Sequence, residues 1–199
     1  KKYFKKIGSN FTWYLIQNCS SYKDMEVPGT WKKREYEGLV PSGIRKYIPL
    51  VYDKLVHSIL TKTVDNPNLD KFKVETSSDL HKYTKRDLIV DEKDDEHQFK
   101  LIHTPKQTVW ASRAHKFQKK YKVFISTTDK YKVFVDNCGM TQSIAFIRCS
   151  SKKKATEFMK MLDHPLYIFI NNICRWGNFN NIRILQNFPI STTENPYEC

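Results

Sequence analysis

The most constraining feature of this chain is a run of three short apolar segments followed at once by two helical stripes. Residues 121–126 (YKVFIS), 131–136 (YKVFVD) and 144–149 (IAFIRC) are built from β-branched and aromatic side chains, which pack well on a pleated surface. TTDK joins the first two, and Asn137, Cys138, Gly139 and Met140 supply a turn before the third. The spacing predicts a meander within an antiparallel or mixed sheet. Ser150 or Ser151 can then cap a helix whose apolar stripe is Ala155, Phe158, Met159 and Leu162, at i, i+3, i+4 and i+7. Pro165, after a possible cap at Asp163, opens a second helix with Leu166, Phe169, Ile170 and Ile173 on its buried face. Strands followed by helices give an α+β class: a mixed or antiparallel sheet with helices packed on one side.

The rest of the chain reads around that centre. Residues 10–18 (NFTWYLIQN) suggest a strand. The chain turns near Pro28, Gly29, Pro41 and Gly43, with an aromatic and charged, surface-like WKKREYEG between them. Val51, Leu55, Val56, Ile59 and Leu60 predict a helix over 48–60, ended near Asn66 and Pro67. Residues 63–100 read as a polar insertion, its acidic DEKDDE (91–96) a solvated loop rather than a metal site. The tail 190–199 reads as frayed, and the whole 1–199 as one domain.

Charge narrows the function. Lys and Arg number 34 against 21 Asp and Glu, a formal charge of +13; such an excess attracts nucleic acid, an anionic membrane surface or an acidic protein. No apolar run approaches the roughly 18 residues of a membrane span, so no membrane partner is expected. Five widely spaced cysteines, with no C-x-x-C, point to a reducing, cytoplasmic compartment rather than a disulfide framework. The six histidines have no zinc-ligand spacing. Glycine-rich nucleotide loops and H-E-x-x-H are missing from the sequence. Asn195-Pro196-Tyr197 lacks the second proline of an N-P-P-Y-type tetrapeptide. Cys138, Cys149 and Cys174 sit in apolar or strand contexts and read as inert.

Two segments look made for binding. Residues 106–132 hold eight Lys or Arg and the single acid Asp129, interleaved with Trp110, Phe117, Tyr121 and Tyr131. Long cations beside planar rings suit phosphate contact; the alternative is a solvated basic face over core aromatics. Residues 175–183 (RWGNFNNIR) hold three Asn and two Arg, the side chains that make paired contacts to adenine and guanine edges. The alternative there is an asparagine-rich turn that caps its neighbouring helices.

These residues carry a resemblance. The stretch from Val135 to Pro189 resembles the C-terminal part of target-recognition domains in adenine-specific DNA methyltransferases of type II restriction–modification systems; the opening KKYFKKIGSNFTWYLIQN and residues 102–126 are similar to the start and middle of the same domain. The resemblance implies a target-recognition-domain fold that binds double-stranded DNA. Sequence would be read by Thr141 and Gln142 and by Arg175, Trp176, Asn178, Asn180, Asn181 and Arg183, while Lys106, Gln107, Arg113, His115, Lys116, Lys119 and Lys120 would make the other contacts, chiefly to phosphate. It also implies a partner: a methyltransferase catalytic domain, in cis or in trans, that binds S-adenosylmethionine and methylates a flipped adenine. A chain that opens at Lys1 and lacks both the cofactor loop and the tetrapeptide is expected to be a piece or a subunit of such an enzyme, with no cofactor of its own and no catalysis alone. A metal-dependent restriction nuclease using residues 91–96 and an RNA-binding protein are the alternatives.

Overall fold

The computed structural model describes residues 24–41, 47–175 and 177–190; the expected strand at 10–18, Trp176 and the tail 191–199 lie outside them. In chain order the elements are β1 (Met25–Glu26), β2 (Gly29–Trp31), β3 (Arg34–Tyr36), β4 (Leu39–Val40), α1 (Lys54–Lys62), β5 (Ile89–Val90), β6 (Phe99–Thr104), β7 (Gln107–Ala111), β8 (Lys122–Ser126), β9 (Val133–Asp136), β10 (Gly139–Met140), β11 (Ile144–Arg148), α2 (Lys152–Leu162), α3 (Pro165–Cys174) and α4 (Ile182–Leu185). The chain is a mixed α+β protein with several small sheets.

The three apolar segments do form one antiparallel sheet, but not a meander. Its order is β11-β8-β9, so β11 pairs with β8 rather than with β9, the segment before it among the three. The expected turn at 137–140 explains the detour. Asp136 accepts hydrogen bonds from the backbone of Asn137 (2.6 Å) and Cys138 (2.9 Å), and Gly139 and Met140 then leave the sheet to pair in parallel with β6. Gly139 is required there, since a Cβ would lie 2.5 Å from both Gln118 Oε1 and His115 Cβ. The second sheet is mixed, in the order β10-β6-β7-β5.

Every residue of β8 is buried because the strand is covered on both faces. Val123 and Ile125 point with Val133, Ala145 and Ile147 into a core shared with all four helices of the described residues. Phe124, Ile144 and Phe146 point the other way, onto Ile102 and Met140 of the mixed sheet. The outer face of that sheet is closed by Leu80, Ile89, Leu101, Val109 and Ala111. Each step outward is a period-2 switch of side-chain direction.

Ser151 caps α2, accepting from Lys154 N at 3.1 Å. α3 starts at Pro165, but its cap is His164, not Asp163, which instead ends α2. The expected helix at 48–60 begins only at Lys54, because Asp53 is extended (φ −154°) and accepts from Val56 N at 2.7 Å. Val51 is buried all the same, in a bend whose neighbour Leu50 donates to Ile173 O at 2.6 Å. Residues 63–100 are threaded through the structure rather than appended to it. Phe72 donates to Phe188 O (2.9 Å), Glu75 exchanges backbone bonds with Phe146 (2.8 and 2.9 Å), and Leu80 is wholly buried. Ile190 N is also tied, to Asp70 O at 2.7 Å.

Candidate nucleic-acid interface

The basic segment 106–132 contains β8 and so has a part at each end of it, while the Asn-rich loop lies at one end only. Residues 113–120 precede Lys122 at its start, and residues 127–130 follow Ser126 at its end. Four residue steps of about 3.3 Å separate the ends by about 13 Å.

At the far end, four loops converge. Asp129 N donates to Asn178 O and Asn180 N donates to Thr127 O, both at 2.9 Å, which lays the β8–β9 loop along the α3–α4 loop. Arg175 donates to Asp129 O at 2.7 Å. Thr127 Oγ1 donates to Ser143 O at 2.7 Å, bringing in the turn before β11. The β6–β7 turn joins through Lys106 Nζ, 3.2 Å from Asp129 Oδ2. That ammonium holds the Asp129 carboxyl below its ordinary range. Asp129, with a left-handed backbone (φ +60°), thus ties the α3–α4 loop and the β6–β7 turn to the β8–β9 loop, and Thr127 ties in the turn before β11. Lys106, Gln107, Lys130 and Asn178 are exposed on or beside these loops, as is Phe179, at 62 %, and Arg183 is exposed on the following α4.

Several residues expected to read bases are instead structural. Asn180 is 3 % exposed. Its Nδ2 donates to Ser126 O (2.7 Å) and Ser126 Oγ (3.2 Å), while its Oδ1 accepts from Asn171 Nδ2 (2.9 Å). Asn181 caps α4, accepting from Arg183 N at 3.0 Å. Thr141 is wholly buried with Oγ1 2.7 Å from His103 Nδ1. Gln142, half-buried, accepts from Lys82 N at 3.0 Å. Short polar side chains serve loop closure for the reason they serve base recognition: they carry a donor and an acceptor close to the backbone.

At the near end, Lys116, Lys119 and Lys120 are exposed. Arg113 is held by Asp79, at 2.9 Å from Oδ1. His115 is 2 % exposed and cannot meet a phosphate. Its Nδ1 accepts from Phe117 N at 3.0 Å, so in the neutral ring Nε2 carries the proton and donates to Ser77 Oγ at 2.9 Å. A Ser–His nucleophilic pair needs the reverse polarity, so this contact is a structural one. Burial pushes His115 down to about 4, against the pull of Asp79. Desolvation raises Asp79, but the Arg113 guanidinium and Lys116 N–H outweigh it and hold that carboxyl near 2.

Beneath this segment lies Lys122, fully buried, whose ammonium donates to the carbonyls of Phe117 (2.6 Å), Asn137 (3.4 Å) and Lys120. Burial lowers it to about 8, with Cys138 and Asp136 pulling upward. Residues 91–96 are exposed; Asp94 accepts from the backbone of Glu96 and His97 and so shapes its own loop. Among the described residues no group of three or more His, Cys, Asp or Glu could hold a metal ion. Burial raises the thiols of Cys138, to about 11, and of Cys149, which disfavours the nucleophilic thiolate. No helix of the described residues is long and apolar enough to cross a membrane.

Sequence reasoning missed Asp129 as an organising residue, along with the exposed Phe179 and Tyr83 (57 % exposed). The chain matches no protein-family model, no curated protein and no solved structure.

Proposed function

We propose that this chain is a sequence-specific double-stranded-DNA-binding domain, the target-recognition part of an adenine-specific DNA methyltransferase of a restriction–modification system. The supporting observation is the convergence of four loops at one end of β8, tied through Asp129 and Thr127, with Lys106, Gln107, Lys130, Asn178 and Phe179 exposed on or beside them and Arg183 exposed on the following α4. Loops fixed on a packed scaffold are where recognition side chains work best. Gln107 and Asn178 have the donor–acceptor pair that matches an adenine edge, Arg183 matches guanine, and Phe179 offers an apolar contact to a thymine methyl. Lys106 and Lys130 contact phosphate. Lys116, Lys119 and Lys120, about 13 Å away at the other end of β8, meet the backbone about four base pairs along.

Methyl transfer, and the S-adenosylmethionine it consumes, belong to a catalytic domain outside these residues, joined in cis or in trans. The test is selection from a randomised duplex pool at two salt concentrations, followed by sequencing of the retained DNA. A short motif that survives the higher salt supports base reading. Salt-sensitive binding with no enrichment refutes it, since phosphate contacts alone carry no sequence information.

A further inference from the structure

The β2–β3 hairpin carries two adjacent exposed lysines at its tip, and the function above does not use it. Its strands pair Gly29 with Tyr36 and Trp31 with Arg34, leaving Lys32 and Lys33 as the two tip residues. Both have left-handed backbones, φ +48° and +67°, the pattern of a type I′ turn. That turn favours Asn-Gly, because residues with a Cβ adopt positive φ at a cost. Here the sequence places two exposed lysines there instead. Strained positions persist where the structure over-determines them, and they concentrate at ligand-contacting sites.

The root of the hairpin is fixed. Arg34 donates to Asp53 Oδ2 at 2.8 Å and lies 4.9 Å over the Tyr36 ring, and Tyr36 is buried. Asp53 in turn caps α1. Gly29 passes so close to Leu50 O that a Cβ would stand 2.6 Å from it. Leu50 N is bonded to Ile173 O at 2.6 Å, two residues before Arg175 opens the α3–α4 loop. The hairpin root is thus linked through Leu50 to the last turn of α3, from which the α3–α4 loop starts.

We propose that this hairpin is a phosphate-gripping prong: Lys32 and Lys33 contact the sugar–phosphate backbone of the duplex whose base edges the neighbouring loops read. The proposal rests on the duplex-binding reading of the loop face. Two ammonium groups on a rigid hairpin contribute affinity that falls with salt and is indifferent to sequence.

The experiment is a double substitution, Lys32→Asn with Lys33→Gly, that removes both charges and installs the favoured I′ pair. Its thermal midpoint should equal or exceed that of the parent, so a loss of binding reports a lost contact rather than a damaged fold. Fluorescence anisotropy with one labelled 20-base-pair duplex, from about 50 to 200 mM salt, should show the slope of log K against log salt shallower by about 1.8. Affinity at 100 mM salt should fall by between about tenfold and sixtyfold. Lys32→Arg with Lys33→Arg should keep both slope and affinity. Parent-like slope and affinity in the Asn-Gly variant overturn the hairpin assignment alone. Failure of the parent itself to bind the duplex overturns the loop-face reading and the hairpin with it.

Discussion

Replacing Asn180 with alanine separates a structural role from a base-reading role at the position where sequence and structure disagree most. Asn180→Ala deletes three hydrogen bonds and leaves Ser126 O and Asn171 Nδ2 without that partner in a buried place. A buried polar group stranded in this way costs about 1–3 kcal/mol. Two such groups, with some relaxation, put the loss near 3 kcal/mol. For a domain of this size each kcal/mol lowers the thermal midpoint by about 2–4 °C, so a fall of about 6–12 °C is expected. The loss should also spread locally, because Asn180 N–H and Asp129 N–H hold the β8–β9 and α3–α4 loops together. Amide exchange at those two positions should quicken more than exchange in β8. The assay is paired: a thermal melt, and selection of duplexes below the midpoint of the variant. A base-reading asparagine would give the opposite result, an unchanged midpoint and relaxed preference at one base position worth about 1–3 kcal/mol, and that result would refute the reasoning.

Acid sensitivity is expected from His115. Its folded value is about 4 against an ordinary 6.5, so within that window the unfolded chain binds a proton that the folded chain does not. Stability is therefore fully present above pH 6.5 and falls toward pH 4, by at most about 3 kcal/mol. Urea unfolding at pH 7.5, 5.5 and 4.5 measures it; His115→Gln should flatten the slope, and an equally steep slope in that variant would exclude His115 as its source. Lys122→Met strands the carbonyls that its ammonium holds and should cost about 2 kcal/mol. It should also quicken exchange at Gln118 and Lys120, the two turn amides of the basic segment bonded to His115 O and Phe117 O, and parent-like exchange there would remove Lys122 from its support.

The strands and helices around β8 could be read in advance because their signals are local: β-branched runs, a serine cap, a proline at the first helical turn. Sheet order could not. The place of β11 beside β8 depends on Gly139 slipping past Gln118 and His115, a contact between residues more than twenty apart in sequence. Residues 63–100 misled for a related reason. Phe72, Val74 and Leu80 are single apolar residues with polar neighbours on both sides, too few to establish a period, yet Phe72 and Val74 are buried in the main core and Leu80 against the outer face of the mixed sheet. At the candidate interface, the basic segment and the Asn-rich loop were both visible, but the division of the basic segment between the two ends of β8, one part beside the Asn-rich loop, is a property of topology alone.

The choice between capping and base reading for the asparagine-rich loop resolves residue by residue rather than for the loop as a whole. Asn180 and Asn181 close it, and Arg175 pins it to Asp129 O. In Asn180 those bonds engage both ends of the amide, which then cannot also pair with an adenine edge, and Asn181 is buried with its oxygen taken by the cap. What they leave is Asn178, exposed at the crest with Phe179, its backbone fixed by the bond from Asp129 N to Asn178 O. Preorganisation lowers the entropy a contact residue loses on binding. On the proposed DNA-binding reading the buried asparagines would act by holding the exposed one still, and Asn178→Ala should alter base preference while leaving the thermal midpoint within about 1–2 °C, as surface substitutions away from structural contacts do. Loss of stability without loss of preference in that variant would place Asn178 with its buried neighbours and leave the loop a cap.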